Sequence, residues 1–228
     1  MKATIVTPVW NQLEVTMDFM SSMLQWVKPP HRVLIVDNGS DDKTPHYLPA
    51  MHAAGHLDYV RVNKNRGFAG GNNVGLKHCP SDTDVVIFLS NDVRAHGDFV
   101  TPILETLSGL KRTLVGAKLL THDTGWNKFY DGGGQEVVIP YLEGWCVAGW
   151  RSDVSELGGW DEQYFPCDYE DIHLCYQATR KGFTLTALSL PLTHHSGQTG
   201  NQLEGGRLAV TLANRVRFME KWALREKP

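Results

Sequence analysis

The sequence lacks the features that most quickly fix a protein's class. Its strongest strictly apolar run, Val85-Val86-Ile87-Phe88-Leu89, falls far short of the ~20 residues that cross a bilayer, so no stable membrane insertion is expected. The opening Met1-Lys2-Ala3-Thr4-Ile5-Val6-Thr7-Pro8 has no apolar region of the ~7–15 residues that a signal peptide carries. It reads as a strand that starts at once. Cysteine is scarce: Cys79, Cys146, Cys167 and Cys175 form no Cys-x-x-Cys pair. That argues against a zinc knuckle or a disulfide scaffold and points to a reducing, cytoplasmic compartment. Excess positive charge is also missing. With 22 Lys and Arg against 25 Asp and Glu, the net charge is −3, which removes the strongly basic footprint of a nucleic-acid binder. There is no Gly-x-x-x-x-Gly-Lys-Ser/Thr loop and no Gly-x-Gly-x-x-Gly after the first strand. A P-loop kinase and a dinucleotide-binding dehydrogenase are both disfavoured.

What is present is a sequence for one sizeable core. Hydrophobic residues make up 42% of 228 and charged residues 21%, the balance of a globular chain and not of a disordered one. No repeat, low-complexity tract or linker divides it, so a single domain over 1–228 is expected. β-branched runs at Ala3 to Val6, Val33 to Val36, Tyr59 to Val62 and Val85 to Leu89 read as buried strands. Leu13, Met17, Met20, Leu24 and Val27 recur at helical spacing, with Pro29-Pro30 as the stop. A second helix is expected from about Asn72 to His78. This β-α-β-α-β series predicts an α/β fold with a mostly parallel central sheet flanked by helices. Further on, Glu136 to Val147 reads as one or two strands, Asp171 to Lys181 as a helix and Phe183 to Leu190 as a strand. Leu208, Leu212, Val216, Met219 and Trp222 or Ala223 describe an apolar face on a C-terminal helix, read as either a core element or a homodimer surface.

In α/β sheets ligands bind beyond the carboxyl ends of the strands. Four successive strand ends carry polar segments: Thr7-Pro8-Val9-Trp10-Asn11, Asp37-Asn38-Gly39-Ser40-Asp41-Asp42, Asn63 to Asn73 and Ser90-Asn91-Asp92. Any one of them is an ordinary turn composition; all four together make a ligand-binding rim. Backbone N–H groups of the glycine-rich stretch after Arg66 suit a phosphate or sugar. Asp92 suits Mg²⁺ or Mn²⁺, hard cations that take oxygen ligands and bridge phosphates, and an imidazole of His194 or His195 would extend such a shell. The densest cluster runs from Gly158-Gly159-Trp160-Asp161-Glu162 to Tyr169-Glu170-Asp171-Ile172-His173. Carboxylates at a helix N-terminus stabilise the helix dipole. A carboxylate partly desolvated by aromatic surface is also suited to general-base work.

These pieces, in this order and spacing, resemble family 2 glycosyltransferases of GT-A fold across roughly residues 3 to 200, closest to the rhamnosyltransferase-like branch. The likeness rests on Thr7-Pro8-Val9-Trp10-Asn11, Val36-Asp37-Asn38-Gly39-Ser40-Asp41-Asp42, Asn65-Arg66-Gly67-Phe68-Ala69-Gly70-Gly71-Asn72-Asn73, Leu89-Ser90-Asn91-Asp92-Val93, Gly158-Gly159-Trp160-Asp161-Glu162, Glu170-Asp171-Ile172-His173-Leu174-Cys175 and His194-His195-Ser196-Gly197. The resemblance implies an inverting, metal-dependent transfer of a hexosyl or deoxyhexosyl group from a nucleoside-diphosphate sugar. It divides the domain into a nucleotide-sugar half (about 1–118) and an acceptor and catalytic half (about 119–228).

By the same resemblance Asp171, with Glu170 beside it, matches the catalytic base. Asp37 looks like the carboxylate that reads base or ribose, and Pro8, Asn11, Asn38, Arg66, Gly67, Asn72, Asn73, Asn91 and Asp92 would surround the donor. Asp92 with His194, or His195 second, would hold Mn²⁺ or Mg²⁺. Trp145, Trp160 and Asp161 would face the acceptor. Two positions depart from the family pattern: Ser90 stands where an Asp or Asn is frequent, and His173 where a second acid is. A UDP- or dTDP-sugar is favoured as donor. The acceptor is expected to be a saccharide, a lipid-linked sugar or a protein, with modified DNA least supported by the charge. The rivals are a nucleotidyltransferase on a related fold and a non-catalytic nucleotide- or sugar-binding module.

Overall fold

The computed structural model describes residues 1–122, 128–195 and 206–226; Ser196 and Gly197 of the last matching segment lie outside them. The expected alternation opens the chain: β1 (Ala3–Val9), α1 (Leu13–Trp26), β2 (Arg32–Asp37), α2 (Thr44–Ala53), β3 (Asp58–Arg61), α3 (Gly67–His78) and β4 (Val85–Leu89). Then follow β5 (Val93–Ala95), α4 (Val100–Leu107), β6 (Thr113–Gly116), β7 (Leu119–Thr121), β8 (Phe129–Tyr130), β9 (Glu136–Val137) and β10 (Pro140–Leu142). The chain closes with β11 (Cys146–Trp150), α5 (Arg151–Leu157), α6 (Glu170–Arg180), β12 (Thr184–Ala187), β13 (Leu192–His194) and α7 (Arg207–Trp222).

A seven-stranded sheet in the order β12-β6-β11-β4-β1-β2-β3 organises the molecule. The β1, β2, β3 and β4 pairs are parallel, as is β6 with β12, while β11 runs antiparallel to both β4 and β6. One strand therefore opposes the other six, and the sheet runs through both halves of the chain. β4 is wholly buried, as a central strand covered on both faces must be. Two cores follow, one per face: Ile5, Phe19, Met20, Ile35, Leu48 and Ile87 belong to the first, and Val6, Leu34, Phe88, Val147, Trp160 and Leu174 to the second.

Three expectations need correcting. The buried stripe of α1 is Thr16, Phe19, Met20 and Met23, whereas Met17 and Leu24 are exposed. Two apolar stripes share Met20, and the one with the larger Phe19 is buried. Helix α3 starts five residues before Asn72, at Gly67. It lies so close to the sheet that a Cβ at Gly75 would come 2.1 Å from Val6 Cγ1, so glycine here is a packing requirement rather than a loop signal. In α7, Leu208, Leu212 and Val216 face solvent and Asn214, Arg215 and Phe218 are buried. The helix docks by a mixed face: Asn214 donates to the carbonyls of Cys167 and Asp168 at 2.7 and 3.0 Å, while Phe218, with Met219 and Trp222 of the expected face beside it, joins an apolar cluster with Phe129 and Tyr169. Elements α2, α4, α5 and β6 were not expected from the sequence.

Candidate active site

Beyond the carboxyl ends of β1, β2 and β4 lies a cavity of about 870 Å³, walled on its other side by the β10–β11 turn, the start of α6 and the start of α7. Of the residues singled out from sequence, Pro8, Asn38, Gly67, Asn91, Asp92, Trp145, Glu170, Asp171 and His194 line it together. They come from seven separate stretches of chain: Pro8, Asn38, Asn91 and Asp92 lie at the ends of parallel strands, Gly67 opens α3, Trp145 lies on the β10–β11 turn, Glu170 and Asp171 open α6, and His194 ends β13.

The strand-end wall is mostly amides and backbone. Asn38 Nδ2 donates to Asn65 Oδ1 at 3.1 Å and to the Gly67 carbonyl at 2.9 Å, and its Oδ1 accepts from the Arg66 N–H at 3.1 Å. This one buried side chain fixes the entry to α3. Asn91 Nδ2 donates to Thr16 Oγ1 at 3.3 Å. The side chain of Asp92 is 9% exposed and its Oδ1 lies 3.2 Å from His194 Nε2, yet that buried oxygen accepts no hydrogen bond. β13 brings His194 there by pairing antiparallel with β5. The His195 N–H donates to the Asp92 carbonyl at 2.8 Å, while its side chain is exposed. His194, not His195, therefore faces Asp92.

A carboxylate oxygen and an imidazole nitrogen converging without a hydrogen bond are a fitting pair of donors for a divalent cation. Among the described residues no group of three or more His, Cys, Asp or Glu side chains converges. The pair therefore suits a cation that draws the rest of its shell from diphosphate oxygens and water, the usual arrangement for Mg²⁺.

The opposite wall is acidic. Asp171 Oδ2 accepts from the Gly144 N–H at 2.9 Å and Oδ1 from the Ile172 N–H at 2.8 Å. Burial pushes its carboxyl up to about 6, and the two N–H bonds work against that rise. Glu170 is 6% exposed, and its Oε2 has no hydrogen-bond partner. Burial first, and the Asp171 charge second, hold its carboxyl well above the usual carboxylate range. The backbone that aims this pair is unusual. Asp168 and Tyr169 have φ of 71° and 76°, a left-handed conformation that non-glycine residues keep only when their surroundings enforce it. Helix α7 supplies that enforcement: Arg207 pairs with Asp168 at 2.7 Å, Thr211 Oγ1 donates to it at 2.6 Å, and Asn214 holds the flanking carbonyls.

Other expected residues sit behind the cavity rather than in its wall. Asp37 is fully buried; Arg61 pairs with it, and the Ser40 N–H donates to it at 2.9 Å. Its carboxylate braces the β2 loop. Asn11 Oδ1 accepts from the Asp41 N–H at 2.8 Å and ties that loop to β1. Arg66 pairs with Glu162 at 2.8 Å, and Asn72 is wholly buried in α3. Asn73 is bonded both ways to the Trp160 backbone, at 2.8 and 2.9 Å.

The expectation that Trp160 and Asp161 face an acceptor is corrected by their placement. Trp160 is 2% exposed and lies edge-on between Phe68 and Phe88 at 5.4 and 5.3 Å, so it is core. Asp161 is taken up by Lys221 and by His173, 3.5 Å away. The cavity instead includes Lys118, His122, Tyr141, Glu143, Asp168 and Arg207, none of which the sequence reading named. Glu143 and Asp168 stand two residues before Trp145 and Glu170, which is the nearest thing to a signal they carry.

The model of glycosyl transferase family 2 matches residues 4–153. The chain belongs to this family. Over 101 residues it is 33% identical to the uncharacterised glycosyltransferase YfnE of Bacillus subtilis (strain 168), a match covering 44% of this chain and 25% of YfnE. The chain thus spans about a quarter of that relative. Among solved structures it is similar to GalNAc-T7 with UDP, GalNAc and Mn²⁺, with a TM-score of 0.73 at 14% identity, over 96% of this chain and 47% of that one. It is also similar to the mannosyltransferase PcManGT of Pyrobaculum calidifontis in complex with GDP-Man and Mn²⁺, with a TM-score of 0.67 at 15% identity, over 94% and 64%. At such identities the likeness is one of fold, and the fold is GT-A. No helix among the described residues is long and apolar enough to cross a membrane.

Proposed function

We propose that this protein transfers a hexosyl or deoxyhexosyl group from a nucleoside-diphosphate sugar to an acceptor hydroxyl with inversion, Asp171 acting as general base. The observation that carries this reading is one cavity with two dissimilar walls. A carboxylate held by two N–H bonds and poised near neutral pH shares it with the Asp92–His194 pair. A UDP- or dTDP-sugar is the favoured donor, and the solved relatives with UDP or GDP-Man and Mn²⁺ support a diphosphate donor and a divalent cation.

The acceptor hydroxyl sits against Asp171, which takes its proton as the oxygen attacks the anomeric carbon. The bond from that carbon to the diphosphate breaks on the opposite face, so a single displacement inverts the centre. Burial first, and the Asp171 charge second, raise the Glu170 carboxyl well above the usual carboxylate range, which favours Asp171 as the proton acceptor of the pair. Asp92 and His194 would hold Mn²⁺ or Mg²⁺, which when bound neutralises charge on the departing diphosphate. Pro8, Asn38, Gly67 and Asn91 bound the space for the donor, and Trp145, Tyr141 and Glu143 the space for the acceptor. Calorimetry with UDP, dTDP, GDP and CDP, each with Mn²⁺ and with EDTA, tests the reading. Metal-dependent binding of one diphosphate is expected. Folded protein that binds none of them would instead be a non-catalytic module.

A further inference from the structure

The turn Glu143-Gly144-Trp145 touches both working ends of the cavity without taking part in the displacement. Glu143 Oε2 accepts from the Trp145 Nε1–H at 2.9 Å and Oε1 from Lys118 Nζ at 3.1 Å. The Glu143 N–H donates to the Lys118 carbonyl at 3.1 Å, and the Cys146 N–H closes the turn on the Glu143 carbonyl at 3.3 Å. The Trp145 carbonyl accepts from the Ser90 N–H at 2.9 Å, which registers the turn on the segment that carries Asp92. The Trp145 indole stacks on the His194 ring, with centroids 5.0 Å apart and planes 18° from parallel. Between these residues, the Gly144 N–H holds Asp171 Oδ2. A Cβ at position 144 would stand 3.1 Å from Asp171 Cβ, so the backbone approaches the base more closely than a side chain would comfortably allow.

We infer that Glu143 is a positioning residue: it locks the Trp145 indole against His194 and, through the same turn, sets the Gly144 N–H against Asp171. The base and the Asp92–His194 pair are thereby held at a fixed separation. The inference rests on the transferase reading of this cavity. An imidazole stacked on a free indole still turns with it, since the indole rotates about two side-chain torsions. The Nε1–H bond removes that freedom, as outer partners of metal-binding histidines commonly do.

The test uses the whole chain, Mn²⁺ and whichever of UDP, dTDP, GDP or CDP the unchanged protein binds, with free Mn²⁺ read by electron paramagnetic resonance. Glu143→Leu removes both acceptors. Trp145→Phe keeps a ring for the stack but loses the Nε1–H. Each is expected to weaken Mn²⁺ binding by roughly 10-fold, the lower end of such outer-partner effects. The double variant should be no weaker than Glu143→Leu, because that variant has already lost the bond that Trp145→Phe removes. Glu143→Gln keeps an acceptor and should restore most of the affinity. In Glu143→Leu the acid limb of the transfer rate should also move to higher pH, since a loosened Gly144 N–H no longer holds the Asp171 carboxyl down. Unchanged Mn²⁺ affinity in Glu143→Leu, or additive losses in the double variant, overturns the inference alone. No metal-dependent binding by the unchanged protein overturns the transferase reading and this inference with it. Should Glu143→Leu not fold, Trp145→Phe against the unchanged protein carries the same readouts.

Discussion

The two walls of the cavity solve different problems with different chemistry. The strand-end wall presents Pro8, Asn38, Gly67 and Asn91, with Asp92 as its carboxylate. Its amides are satisfied by neighbours within the fold. The opposite wall gathers Glu143, Asp168, Glu170 and Asp171, and burial raises the carboxyls of Glu170 and Asp171. A wall of fixed amides and backbone groups recognises a ligand chiefly by its shape. A wall of crowded acids stores a proton-transfer capacity that depends on pH and on how well α7 restrains it. On the proposed reading, donor binding and proton transfer fall to different walls, and substitutions can separate them.

The largest effect is expected from Asp171→Asn, which should lower transfer by about 10²–10⁴-fold, the usual worth of a positioned base, with donor affinity unchanged by calorimetry. In the unchanged protein the rate should fall as pH drops through about 6, because the base works only when deprotonated and burial has raised its carboxyl to that range. A variant that keeps most of its turnover would place the base elsewhere. The next effect belongs to the other wall. Asp92→Ala and His194→Ala should each abolish most of the Mn²⁺-dependent gain in diphosphate affinity, at least the ~10–100-fold that even outer partners command. Affinity in EDTA should stay unchanged, so a loss in EDTA as well would mean that the pair supports the fold and not a cation.

The smallest effect concerns stability behind the acidic wall. His173 Nδ1 accepts from Tyr164 and Trp222, each at 3.2 Å, and its Nε2 faces Asp161. Burial pushes the imidazole down to about 4. The unfolded chain then binds the extra proton first, and stability is lost as pH falls from about 6.5 toward 4. His173→Gln should flatten that part of the curve in urea melts at pH 7 and pH 5. An equally steep loss in the variant would assign the acid sensitivity to the carboxylates.

The same contrast governs what the sequence allowed one to read. β1, β2 and β4 were legible because a parallel strand covered on both faces is a short β-branched run, the half-buried edge strand β3 was legible from composition alone, and Asp92 and Asn38 were legible because they follow such runs closely. Asp171 was legible as an acid opening a helix beside aromatic residues. The Tyr141 and Glu143 positions were not, since they sit on a three-residue strand and the turn after it, with no periodicity. Arg207 was not, because its importance lies in gripping a strained turn 39 residues away. Trp160 was misplaced for a complementary reason: an aromatic next to acids looks like a sugar platform, and only packing between Phe68 and Phe88 reveals a core residue. In α1 and α7 spacing identified helices correctly but only part of the buried face: Met20, Met219 and Trp222 pack against core, while Met17, Leu24, Leu208, Leu212 and Val216 are exposed, because each sequence offers more than one apolar stripe.

Leu119 and Leu142 are directly paired across β7 and β10, yet the described residues between them are anchored: Phe129 and Ile139 are fully buried in one cluster with Phe218 of α7, and Tyr130 is bridged to Arg225. The segment that brings Tyr141 to the cavity is therefore welded to the C-terminal helix. Exchanging it would mean refitting α7 as well, much as replacing α3 would mean reshaping the strand on which Gly75 rests.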